Sequence, residues 1–470
     1  MNGIRFRITR VFCVITVFNL SNFSNLRAQE NFSLENYVDL VLKYHPYVKQ
    51  AELEFSKSKA FLKKSRGAFD PVLSYDQKEK NFDGTNYYSR QKTEIKIPSF
   101  YGITLNGSVQ QASGVFLNPE NKIKNDQLIA LGASFELGQG LLSNPRQTAL
   151  KQAILFTKQA NEENALEINR ILTIAIHAYL DWYKDFKIYK IFDEFIANAS
   201  FRFEAVKQRV KEGDLAKIDS TEARIALNQR KMQQQNARLE LQNKVLKISN
   251  FMWFENQPIE IRETIEPFVD EERFLLFLKS DSLPIEKHPK LTALSYKKDQ
   301  LVLEKRLQKS NLAPKFSVNY QWLSDTNLNT FSNFSLDPDN NITGIKAALP
   351  LFLRKERADL KIASLKVENL EWEQLQTKTV LENRIKALFE TKERLRNQEN
   401  LAQQIQKDYQ ELFEGEQKKF LAGESSLFLV NTRESKLIEA ILKTISLEIA
   451  QKKAEITYYF TVNFPSLKPI

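Results

Sequence analysis

Cysteine is almost missing from this sequence and histidine is scarce: the 470 residues hold one Cys and three His. The cysteine, Cys13, falls inside a basic-then-apolar opening, MNGIRFRITR followed by VFCVITVFNL, which ends at Leu26-Arg27-Ala28. That pattern predicts an export signal over residues 1–28, cleaved near Ala28. The mature chain then has no thiol, which excludes disulfides and thiolate-held metals. His45, His177 and His288 are far apart, with no HExxH spacing, so structural roles are expected of them and not metal ligation. GxSxG, P-loop and GxGxxG motifs are absent too. Neither a catalytic constellation nor a cofactor site is expected, and the chain does not read as an enzyme.

Long apolar runs are also lacking. No segment reaches eighteen consecutive apolar residues, so a membrane could be crossed only by a β-barrel. An excess of one charge is weaker than it looks. The net charge is +10, but Arg5, Arg7, Arg10 and Arg27 all lie in the signal segment, and the remaining Lys and Arg alternate with Glu and Asp. That is a solvated surface, not a nucleic-acid footprint. Proline is absent from Leu351 to Phe464, where Gly415 and Gly423 are the only glycines. By contrast, eight of the 13 glycines crowd between Gly67 and Pro145.

This unevenness is organised by an internal repeat. His45-Pro46 recurs as His288-Pro289, 243 residues on, and each pair is followed 25 residues later by a second proline, Pro71 or Pro314. Between the prolines both copies read as amphipathic helix, then switch to two-residue alternation. Further along, FEAVKQRVKEGDL (203–215) matches FEGEQKKFLAGES (413–425) at an offset of 210, and Ala153 to Gly213 spans the same 60 residues as Ala363 to Gly423. Two very long helices of equal length are predicted, each about 90 Å at 1.5 Å per residue, each reversing at a glycine into a returning helix. Ile168, Leu172, Ala175, Tyr179, Trp182, Phe186 and Tyr189 mark the seam of the first. Leu381, Ile385, Leu388, Leu395, Ala402, Ile405, Tyr409 and Leu412 mark that of the second, at the spacing of supercoiled helices. The strand segments are PVLSYDQKEK, RQKTEIKIP, GITLNGSVQQ and QLIALGASFEL in the first copy, with a hairpin turn at Asp83-Gly84, and KFSVNYQWL and NITGIKAALPLFL in the second. Their alternation suits barrel strands, and it suits a soluble sheet as well.

Together, the paired helix-Pro openings, the entries FDPVLSYD and LAPKFSVNY, the exits LGQGLLSNPRQTALKQA and ALPLFLRKERADLKIA, and the two glycine turns resemble TolC-like outer-membrane efflux proteins over the whole mature chain. The resemblance implies a mainly α fold with a membrane β-barrel section, internally duplicated, whose long antiparallel helices form an α-barrel continuous with a trimeric β-barrel. Each chain would give four strands. It further implies a passive channel-tunnel in the outer membrane, extending into the periplasm as the exit duct of an efflux pump or type I secretion system. An inner-membrane pump would drive it through a periplasmic adaptor. The domains implied are a signal peptide (1–28), a first repeat (29–250, strands at about 71–141), an equatorial segment (251–284), a second repeat (285–456, strands at about 315–353) and an equatorial C-terminal tail (457–470). The alternative is a periplasmic coiled-coil scaffold or adaptor with a non-membrane β domain.

On this resemblance Gly213 and Gly423 turn the chain at the periplasmic tip. Asp214 and Glu424 follow them at the start of a new helix, where the dipole favours an acid. Alternatively they line an acidic ring that repels anions and attracts cations. Asp219 matches a gate acid of the family, but its counterpart in the second copy is Leu429. Phe420 matches an aromatic of the closed tip, and Arg209, Lys418 and Lys419 stand where adaptors would dock.

Overall fold

The structure, a computed structural model, describes residues 31–123, 127–138, 143–262, 264–277, 284–325 and 337–463. The signal segment 1–28, part of the first strand-to-helix exit (139–142) and the last seven residues of the expected tail lie outside the described residues.

The chain runs through two parallel copies of one plan. Strand β1 (Asn31–Ser33) and helix α1 (Leu34–Tyr44) lead into α2 (Pro46–Arg66), then strands β2 (Val72–Phe82), β3 (Thr85–Pro98), β4 (Ile103–Ser113) and β5 (Leu128–Gly138). Helix α3 (Pro145–Glu212) and its return α4 (Lys217–Ser249) follow. A short connection holds β6 (Trp253–Phe254), β7 (Gln257–Pro258), β8 (Glu266–Phe268) and α5 (Glu271–Phe277). The second copy is α6 (Pro289–Ser310), β9 (Lys315–Ser324), β10 (Asn341–Ala348), α7 (Arg354–Leu421) and α8 (Leu427–Val462). Both long helices have 68 residues, about 100 Å each, so the two reversals lie at the same depth.

The repeated His-Pro dipeptides turn out to be helix starts. Proline at the first helical position has no N–H to leave unsatisfied. The preceding histidine accepts a backbone N–H at Nδ1, from Tyr47 at 3.2 Å in the first copy and from Lys290 at 3.1 Å in the second. Each ring also reaches the end of its own repeat's return helix, His45 at the Asn250 backbone and His288 at that of Thr461. Burial pushes both pKa values down against those backbone bonds, His288 to about 4. Between the ordinary 6.5 and about 4, the unfolded chain therefore binds a proton that the folded chain refuses at this site. Stability falls as pH falls through that window. The thermal midpoint should drop between pH 7.5 and 5, and His288→Asn, which keeps a cap acceptor, should show a smaller drop.

Around these joints sits the main core: Tyr37, Leu172, Tyr179, Trp182, Ile248 and Phe460 are all buried within one cluster. β1 pairs in parallel with β8, and the Tyr179 hydroxyl bonds the Phe32 and Phe268 backbones, tying this strand pair to α3. A second cluster, with Phe192, Phe195, Val430 and Leu437, joins α3 to α8 further down.

Four expectations need correction. The sheet has six strands, in the order β10-β9-β5-β4-β3-β2, not four, because the glycine-rich stretch of the first copy supplies an additional hairpin. The last strand stops at Ala348 and not near 353, since Pro350 cannot continue a ladder. Helix α8 runs to Val462, so a boundary at 457 falls within a helix whose Tyr459 and Phe460 are core residues. Ile405 and Leu412, placed on the seam of a supercoiled helix pair, find no partner helix among the described residues of the chain and are 50% and 48% exposed.

Candidate functional site

The sheet has two chemically distinct faces. Residues paired across its ladders share a face, and the register places Leu73, Ile95, Leu105, Leu131, Phe316 and Ile345 together on one of them. All six side chains are exposed, and Glu79 is the only charged residue of the described strands on that face. The opposite face carries Asn106, Ser134 and Asn319, linked by hydrogen bonds of 2.7 and 3.1 Å, and nearly all the sheet's charges. Among the described residues no helix packs broadly against either face. Asn106, Ser108 and Ala130 on the polar face are buried, as are Ile129 and Ser324 at one end of the apolar face. The Asp83-Gly84 turn has positive φ at both residues, 51° and 72°, the conformation that tightens a two-residue hairpin. Strands β2 and β10 are the sheet's edges, and each leaves a row of backbone groups open to a partner strand.

At the other end of the molecule the two helix reversals are nearly superimposable in chemistry. Gly213 and Gly423 have φ of +86° and +81°, with open space where a Cβ would stand, so backbone conformation alone selects glycine. The following N–H closes the helix: Asp214 donates to the Arg209 carbonyl at 3.0 Å and Glu424 to the Lys419 carbonyl at 2.9 Å, the Schellman arrangement. Asp214 and Glu424 are exposed in the turns, three residues before α4 and α8 begin. Their expected place at a helix start is thus not observed. Arg209 is half-buried, whereas Lys418 and Lys419 are exposed, all in the last turn where cations suit the helix dipole.

The asymmetry between Asp219 and Leu429 has a local explanation. Asp219 accepts the Ala216 N–H at 3.1 Å, while in the second copy Ser426, the counterpart of Ala216, accepts the Leu429 N–H at 3.4 Å. A full capping box needs both bonds, and each repeat keeps one half. Losing the acid at 429 therefore leaves a capped helix. Phe420 is half-buried between the two hairpins, against Val206, Ala223 and Leu427. The tip candidates thus cluster at one end, with Phe420 turned into packing.

Two features escaped the sequence reading. Glu434 of α8 is fully buried and pairs with Arg202 of α3 and Arg230 of α4, the latter at 3.3 Å. Asn431 and Ser435 satisfy further guanidinium donors at 3.0 and 2.8 Å. The second is a step of seven in α4: Ile218, Ile225, Met232, Leu239 and Leu246 are all exposed, from 52% to 75%. That spacing was visible in the sequence; the ion network was not, because its members come from three helices.

No protein-family model and no curated protein matches the sequence. Solved structures do match. The Campylobacter jejuni CmeC outer membrane channel is similar over 99% of this chain and 96% of its own, at 14% identity and a TM-score of 0.61. The outer membrane protein VceC of Vibrio cholerae matches over 92% and 96%, at 12% identity and 0.63. The Neisseria gonorrhoeae MtrE outer membrane channel, solved in its open state, matches over 91% and 88%, at 12% and 0.63. The chain has the TolC-like fold. The likeness extends over nearly the whole chain.

Proposed function

We propose that this protein is a passive channel of the outer membrane whose long helices reach into the periplasm, and that three copies close one ring. The observation that carries the reading is the six-stranded sheet with one exposed apolar face, one polar face and two open edges. Strands of 8 to 14 residues suit a bilayer, where an open edge is not tolerated. β2 of one copy pairing with β10 of the next removes every edge. Three copies of six strands make an eighteen-stranded barrel, a size that leaves an aqueous lumen.

Closure lower down is supported by the exposed stripes on α4 and α7. Ile225 and Met232 lie 12 and 19 residues after Gly213, and Leu412 and Ile405 lie 11 and 18 residues before Gly423. The stripes therefore stand at matching depths, and α4 of one copy against α7 of the next forms an antiparallel supercoiled pair. Cysteines at 232 and 405 in the otherwise thiol-free mature chain test this seam by cross-linking. The partners that fit such a duct are an inner-membrane pump and a periplasmic adaptor, the latter docking at the tip through Arg209, Lys418 and Lys419. At that tip Asp214, Asp219 and Glu424 give the entrance its negative charge, more of it from the first turn.

A further inference from the structure

The charges on the polar face of the sheet are unequal in sign and concentrated on the hairpin β2–β3. Register puts Lys78, Lys80, Arg90, Lys92 and Lys96 there against two carboxylates, Asp76 and Glu94. Both acids are neutralised locally. Glu94 lies between Lys92 and Lys96, at 3.2 and 2.9 Å, and Asp76 stands directly opposite Lys92. What remains uncompensated is Lys78, which stands directly opposite Arg90, with Lys80 two residues along the same face. Like charges set directly opposite each other across a ladder destabilise a sheet. Elsewhere on this face Lys315 and Lys346 outnumber Glu136, so no other strand restores the balance.

We infer that this cationic band lines the outer lumen and makes the barrel section favour anionic solutes; the inference rests on the channel reading above. A lumen walled by low-dielectric protein and lipid focuses the field of such a band, and anions are concentrated beside it. The sign is opposite to that proposed at the tip, where Asp214 and Glu424 are exposed. The acidic entrance proposed at the tip repels anions, so the two ends of the duct would select solutes of opposite charge.

The test uses the full mature chain in outer-membrane vesicles or proteoliposomes, with a single cysteine at Gln110, which faces Lys92 across the β3–β4 ladder. Modification rates are measured with an anionic sulfonatoethyl and a cationic trimethylammonioethyl methanethiosulfonate, each normalised to a free thiol. The anionic reagent should be favoured by about tenfold, and the change Lys78→Gln with Arg90→Gln should bring the ratio close to that of the free thiol. A ratio equal to the free thiol's, or one indifferent to those substitutions, overturns the inference while leaving the channel intact. Labelling from water at Val109→Cys but not at Gln110→Cys would reverse the two faces and remove the lumen as well.

Discussion

Glu434→Ala should lower the stability of the folded chain by about 3–5 kcal/mol, the cost of leaving buried guanidinium groups without their counter-charge. Glu434 is fully buried between Arg202 and Arg230, and removing it strands both cations where three helices meet. Arg202 lies 11 residues before Gly213 and Glu434 lies 11 after Gly423, so the network fastens the two hairpins at one level. The Arg202→Met, Glu434→Leu, Arg230→Met triple variant should recover much of the loss, since packed apolar groups often replace a buried ion network without cost. The unfolding midpoint in detergent, followed by tryptophan fluorescence, measures both variants. A single variant as stable as the parent would mean that water reaches the site.

The second large effect is expected on the apolar face of the sheet. Leu131 lies in β5, paired with Gly107 and Trp322, near the middle of the ladder. Leu131→Arg should cost about 2–4 kcal/mol if that face meets hydrocarbon, reducing the membrane-assembled fraction by more than about tenfold. Gln321→Arg, on the opposite face beside Gly132, should have much less effect on assembly. Equal tolerance of both changes would point to a sheet bathed in water on both sides, the arrangement of a periplasmic scaffold.

Much of this architecture could be read from the order of residues, because its signals are local or repeated. The Asp83-Gly84 turn, the His-Pro helix starts and the 60-residue spacing from Ala153 to Gly213 and from Ala363 to Gly423 depend on short-range chemistry and survive without tertiary context. The number of strands was also legible, but the family resemblance drew the expectation down to four. What could not be read depends on which surface each helix side meets. Ile405 and Leu412 obey the seam spacing yet are exposed in one chain, since periodicity identifies an apolar stripe without naming its partner. Asp219 matches a gate acid by resemblance, and the bond it accepts from the Ala216 N–H depends on turn geometry that the sequence does not display. The capping bond accounts for the residue with no ligand at all, and any electrostatic role at the entrance is additional to it.

Closure of one ring by three copies is the central claim, and the cysteine pair Met232→Cys with Ile405→Cys examines it at residue level. Under mild oxidation in the outer membrane the double variant should run as covalent dimers and trimers in denaturing gels, with neither single variant doing so. A pair one helical face away, Lys231→Cys with Gln404→Cys, should cross-link far less. Monomers only from the 232–405 pair, in protein that remains folded and membrane-bound, would contradict the ring.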